Sequence, residues 1–312
     1  MKLLTTIGSQ VNSRILILVI NQLSILVTLP FIASHLSLEV FGQVATAQIF
    51  IQAAWILGDF GGMYYTAEVW DKGKSLTKRN RFISGLLGMK IILVTGFLFL
   101  VMLAILTRTV QLPYNFITPL ALAAFTGALF PIWYFHINRR PEELVWPTIL
   151  SRVAYLIAIV ALIDRDARGV WVLWLQALSF GTITMYAFYR MTKVDLYRWS
   201  GWNPKEIKGH ARASSLFFMT NITNNNSSLI WGLCLTLVAG PASIALFTLS
   251  DQLYRAGSSV STIISQVLRL NTMSHNLQDT WRMVRHFFAL FFVIAVAAWL
   301  SIDLIIRSLF TS

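Results

Sequence analysis

Cysteine is nearly absent: Cys234 is the only one in 312 residues, and it falls inside an apolar stretch. That excludes an intrachain disulfide and a cysteine-based metal site. Acidic residues are also scarce, 13 against 25 Lys and Arg, for a net charge of +12. There is no Walker A pattern, no glycine-rich dinucleotide loop and no nucleophile elbow. ATP-driven work by this chain and soluble-type enzyme chemistry therefore have no residues behind them, and the protein is not expected to be an enzyme. His136, His210 and His286 lack ligand spacing, so neither a metal nor another cofactor is expected.

What is present is apolar sequence, 56% of the chain. A helix needs about 20 predominantly apolar residues to cross about 30 Å of hydrocarbon, and roughly nine stretches qualify. They run from Val11 to Ile32, Val40 to Phe60, Phe82 to Leu106, Phe116 to Ile137, Leu144 to Ile163, Val170 to Tyr189, Ser215 to Val238, Ser243 to Leu268 and Phe287 to Leu309. The expected fold class is an all-α integral membrane protein. The first span is too long for a cleaved signal peptide and lacks an A-x-A site, so it reads as an uncleaved anchor.

Every second connection is basic. Lys72, Lys74, Lys78, Arg79 and Arg81 form one cluster, Arg139 and Arg140 a second, Arg190 to Arg212 a third, and Arg269, Arg282 and Arg285 a fourth. The intervening turns carry little net charge, including the self-cancelling Asp164, Arg165, Asp166, Arg168. Retention of Lys and Arg on the cytoplasmic side predicts a cytoplasmic N-terminus and an outside Ser312. The same placement accounts for the positive charge without nucleic acid as a partner.

The polar stretch 191–213, with Trp199, Trp202, Pro204 and several cations, divides a six-helix lobe (1–190) from three further spans (214–312). Its aromatics and cations suit a headgroup-level segment, and an ordinary cytoplasmic linker is the plainer reading. A weak repeat links the start of each part. Asn21-Gln22, a short turn and Phe41 to Gln48 correspond to Asn221 to Asn226, a short turn and Ala245 to Asp251, as in parallel transporter repeats. Three spans make half a lobe, so the second lobe is expected to be incomplete, and the chain inactive alone or completed by another polypeptide or a second copy.

Several segments carry a family resemblance: His35 to Gly42, Gly58-Asp59-Phe60-Gly61-Gly62, Pro131-Ile132-Trp133-Tyr134-Phe135, Pro147 with Arg152, and Gly240 to Arg255. With these the chain resembles the polysaccharide transporter (O-antigen flippase) branch of the multidrug, oligosaccharidyl-lipid and polysaccharide flippase superfamily. The resemblance implies a protein of the bacterial inner membrane. It would carry undecaprenyl-pyrophosphate-linked oligosaccharide, as for lipopolysaccharide, from the inner to the outer leaflet by alternating access. It would meet membrane lipids and work beside a polysaccharide polymerase and other glycan-assembly proteins. A drug or cation exporter of the same superfamily, an integral membrane glycan-assembly enzyme and a truncated inactive remnant are the alternatives.

A charge inside a span costs roughly 2.5–3.5 kcal/mol on insertion scales, so those present usually face a cavity or a partner. Asp251 and Arg255 are four apart on one helix and can pair, at the head of a stripe continuing through Ser258, Thr262 and Gln266. Gln48, Gln52, Trp55 and Asp59 share a face. Asp59 stands at a helix C-terminus, where the dipole disfavours an anion, so a cationic partner is expected, and Gly61 and Gly62 permit a tight bend there. Arg14 and Asn21 in the first span, and Asn221, Asn224 and Asn225 in the seventh, offer amides or charge to sugars or to neighbouring helices. Arg14, Lys90 and Arg152 lie near cytoplasmic ends. They either snorkel to the interface or together form a mouth attractive to pyrophosphate.

Overall fold

The computed structural model describes Ser24, Thr28 and residues 31–70, 75–163, 169–225, 227–252, 254 and 255. Arg14, Asn21 and the expected ninth span lie outside them, as do the side chains of Asn221, Asn224 and Asn225. The described residues are predominantly helical, without a strand, and the protein is an all-α membrane protein.

The helices are α1 (Leu38–Asp59), α2 (Gly62–Val69), α3 (Leu76–Leu106), α4 (Ile117–Ala128), α5 (Ile132–Ile137), α6 (Val145–Leu162), α7 (Val170–Lys193), α8 (Pro204–Asn225) and α9 (Ser227–Val238). Short 3₁₀ turns, Tyr114–Phe116 and Pro141–Leu144, precede α4 and α6. Residues 241–252 are helical again. Among the described residues, five stretches are long and apolar enough to cross a membrane: Leu38–Val69, Leu76–Leu106, Tyr114–Ile137, Pro141–Leu162 and Val170–Lys193, with Ser228–Val238 a shorter apolar helix. They coincide with the second to sixth expected spans, but two are interrupted. The second bends at Phe60 and Gly61, both left-handed. The fourth breaks at Leu129–Pro131, because Pro131 has no N–H to donate to the preceding turn. The expected loop 191–213 is also shorter than the sequence suggests: α7 runs to Lys193 and α8 begins at Pro204, so half of that stretch is helix. Asn203 Oδ1 accepts from Lys205 N at 3.1 Å and so starts α8.

Alternating direction brings Asp59, Leu76, Ile137, Val145, Lys193 and Pro204 to one end, called the basic end below. Leu38, Leu106, Ile117, Leu162, Val170 and Val238 lie at the other. On α1, Ser37 Oγ accepts from Val40 N at 3.3 Å and starts the helix. Along its length Val44, Ala47, Phe50 and Ile51 bury against α4 and α7 residues including Leu120, Ala123, Leu173 and Ala177. A second face, Ala45, Ile49 and Ala53, packs on Leu229 and Ile244. Helix α1 is therefore common to both packing surfaces. In contrast, Trp146, Leu150, Val153, Ile157 and Val160 of α6 lie on one exposed apolar face, as expected of a helix turned to lipid.

Glycine sets the closest approach at the end away from the basic one. A Cβ on Gly42 would sit 1.9 Å from the Pro241 carbonyl oxygen, a backbone contact that no side-chain rotation relieves. Gly42→Val should therefore lower the melting temperature of the detergent-solubilised protein, at a cost of about 1–3 kcal/mol from overpacking. Gly96→Val, where an added Cβ meets nothing within 4 Å, should leave it unchanged.

Candidate functional site

The site is built around α1. Gln48, Gln52, Trp55 and Asp59 recur at helical spacing and all four are partly exposed. Their strip lies between the face packed on α4 and α7 and the face packed on α9, so a polar line runs between the two packing surfaces.

Asp59 closes the strip at the basic end, and Lys90 of α3 is its cationic partner. Lys90 Nζ lies 3.5 Å from Asp59 Oδ1 and 3.5 Å from the Ala128 carbonyl oxygen. The lysine side chain is 2% exposed and the aspartate 28%. Lys90 thus does not snorkel; it is turned inward to two acceptors. The break at Pro131 makes the second one available: Ala128 is the last residue of α4, and a carbonyl there has no helical donor. A cation at that helix terminus is also favoured by the dipole.

Higher on the strip Trp55 Nε1 donates to the Ala123 carbonyl at 3.0 Å, and its ring crosses Gly127, where a Cβ would come within 2.1 Å of that nitrogen. The ring meets Phe180 of α7 edge-on at 4.3 Å, and the Arg152 guanidinium of α6 sits over the other ring partner, Phe180, at 4.3 Å. Arg152 is thereby held by a cation–π contact at membrane depth, two rings away from α1. Hydroxyls fasten the same region: Ser151 Oγ lies 2.8 Å from both Ser179 Oγ and the Ser179 carbonyl.

Beyond α9, Arg255 Nε donates to Asp251 Oδ2 at 2.7 Å and Arg255 Nη2 to Ser228 Oγ at 2.6 Å. The pair expected along one helix is present, and it also ties that helix to α9. Gln48 and Gln52 share the strip with Asp59. Of the three cations expected at a mouth, Lys90 lies against Asp59 and Arg152 over the Phe180 ring, on different helices, and Arg14 is outside the described residues. Among the described residues no three His, Cys, Asp or Glu side chains gather as a metal site.

The basic end is closed by α8. Phe60 stacks on Phe218 at 4.3 Å, and a Cβ on Gly61 would lie 2.6 Å from Phe218 N, so both left-handed conformation and close approach require glycine there. Tyr65 Oη lies 3.1 Å from His210 Nδ1, whose ring also meets Phe82 edge-on at 4.7 Å. Burial holds the His210 imidazole below its ordinary pKa, against the raising effect of Glu206 nearby.

A second network at this end escaped sequence reasoning. Arg140 Nη2 donates to both Asp195 oxygens, at 2.6 and 2.7 Å, and Glu143 bridges to Arg190 at 3.0 Å. Burial lowers the Arg140 pKa, but the Asp195 and Glu143 carboxylates outweigh it and leave the pKa raised. Asp195, one acid in a strongly basic stretch, was the available signal. Trp133, Tyr134 and Phe135 from the Pro-Ile-Trp-Tyr-Phe motif are fully buried core, at most 1% exposed.

A model describing polysaccharide biosynthesis proteins matches residues 8–269. The chain belongs to the polysaccharide biosynthesis protein family. Neither a curated protein nor a solved structure matches it. Family membership covers α1 to α9 and the helix carrying Asp251 and Arg255, so all the geometry above lies within the family region.

Two outcomes follow. Lys90→Met leaves Asp59 without its cation and should cost about 3–5 kcal/mol, seen as lost yield of monodisperse protein, while Lys90→Met with Asp59→Asn should recover most of it. Because His210 titrates lower when folded than its ordinary 6.5, the folded state loses stability as pH falls below about 6.5. His210→Gln should flatten the melting-temperature profile on the acid side of about pH 6.5.

Proposed function

We propose that this member of the family is a flippase that moves a lipid-linked oligosaccharide bearing a pyrophosphate from the inner to the outer leaflet by alternating access. The carrying observation is the partly exposed polar strip of α1 at membrane depth, flanked by charges that hydrocarbon would otherwise exclude. Amides at Gln48 and Gln52 suit sugar hydroxyls. Among the described charges at that depth, Lys90, Arg152 and Arg255 outnumber Asp59 and Asp251, which favours an anionic cargo over a cationic drug. Arg152, held over the Phe180 ring beside the strip, is the residue proposed to meet pyrophosphate. Undecaprenyl as the lipid, O-antigen as the glycan and the bacterial inner membrane as the location come from the family resemblance. With the N-terminus cytoplasmic, the basic end faces the cytoplasm and α8 closes that side.

The direct test uses proteoliposomes containing a pyrophosphate-linked oligosaccharide with a labelled terminal sugar. An external glycosidase should cleave well beyond the half initially exposed. Arg152→Ala should slow this at least about tenfold, the effect of about 1.4 kcal/mol, while Arg152→Lys keeps part of it. Cleavage that stops at half in the parent protein would rule the reading out. Orientation is checked separately in a Cys234→Ser background: Ser200→Cys should label only after permeabilisation, and Thr109→Cys in intact cells.

A further inference from the structure

The segment between α7 and α8 is a shaped surface. Tyr197 is buried and its hydroxyl lies 3.0 Å from Ser84 Oγ, which also accepts from Ser200 N at 3.0 Å. Tyr197 N donates to the Met191 carbonyl at 3.0 Å. Left-handed turns at Leu196 (φ 56°) and Gly201 (φ 83°) reverse the chain on either side of this anchor. The consequence is that Leu196, Trp199 and Trp202 are left 61%, 45% and 56% exposed, with the two indoles 5.9 Å apart and edge to face. Lys193, Arg198, Lys205, Lys208 and Arg212 surround them and are exposed as well.

The depth of this surface follows from α3. Its 31 residues span about 46 Å, whereas hydrocarbon takes about 30 Å, or about 20 residues counted from Leu106. The boundary falls near Leu87. Ser84, which holds Tyr197 and Ser200, and Gly88, against which Trp202 lies, are at that boundary. Indoles favour the headgroup level, and cations beside them favour anionic lipid.

We infer that residues 194–204, with the cations flanking them, are a docking platform for the anionic headgroups of the adjacent leaflet. The apolar trio enters the headgroup layer while the lysines and arginines meet lipid phosphates. Cations at this level are drawn to an anionic surface, and five of them together make lipid composition matter. The inference is independent of the transported cargo.

The test places a nitroxide at Trp199→Cys or Trp202→Cys in a Cys234→Ser background, in vesicles of phosphatidylcholine with or without phosphatidylglycerol. Glu142→Cys, exposed at the same end, is the aqueous reference. Leu196→Cys provides a third site if either tryptophan variant is not monodisperse. Collisions with a water-soluble nickel chelate should be several-fold rarer at 199 and 202 than at 142. Phosphatidylglycerol should deepen the protection, and Arg198→Gln with Lys205→Gln and Lys208→Gln should abolish that increment. Labels as accessible as the reference in both lipids would overturn the platform and leave the patch to a protein partner. Protection indifferent to phosphatidylglycerol would overturn the anionic recognition.

Discussion

A polar group inside hydrocarbon has to find its partner within the protein, and the contact of Lys90 with Asp59 and the Ala128 carbonyl meets that requirement for three elements at once. It fixes the end of α1 against α3. It also supplies a donor to a carbonyl that the Pro131 break leaves without one. Removing any of the three strands the other two: the acid at an unfavourable dipole end, the ammonium in an apolar interior, or the carbonyl without a hydrogen. The bend at Phe60 and Gly61, one residue past Asp59, inherits its position from this contact. The approach of Phe217 and Phe218 to Gly61 follows from it.

Helix α1 touches the rest of the protein on two sides, and both of its ends are in contact with the segment beyond α7. Gly42 meets Pro241 at one end and Gly61 meets Phe218 at the other. Between those contacts the amide strip and Trp55 remain partly uncovered. A conformational change that opens one end has to separate a glycine from a backbone it nearly touches. Such contacts are either made or broken, which suits a switch between discrete states. The contacts of Trp55 with Phe180 and of Phe180 with Arg152 connect the strip to α6 across α7.

Much of this was legible before any coordinates. Hydropathy located the five described spans, though it stopped at Phe60 where the stretch runs to Val69 and began at Phe82 where the helix starts at Leu76, because a helix that must cross lipid has to be apolar only over a length set by the bilayer. Helical spacing found the Asp251 and Arg255 pair, and dipole reasoning called for a cation at Asp59. It did not name Lys90, since nothing local says that a residue 31 positions away faces the same point. Long-range aromatic contacts such as Phe180 with Trp55 leave no periodic trace. The Arg140 and Asp195 bridge joins two loops, and the positive-inside pattern absorbed its arginine into a statistical explanation. The motif Trp133-Tyr134-Phe135 stood out for its composition, yet the reason for it is packing.

Asp59 and Lys90 belong to consecutive candidate spans joined by a short basic connection, and this bears on how the chain reaches the membrane. During synthesis Asp59 leaves the ribosome well before Lys90 does. Released singly, each span would carry an uncompensated charge at the edge of the lipid. Entering as a hairpin, the two spans carry their charges already matched. The ion pair thus favours paired insertion of α1 and α3, with the Phe60 bend and α2 held at the water interface until its partner arrives.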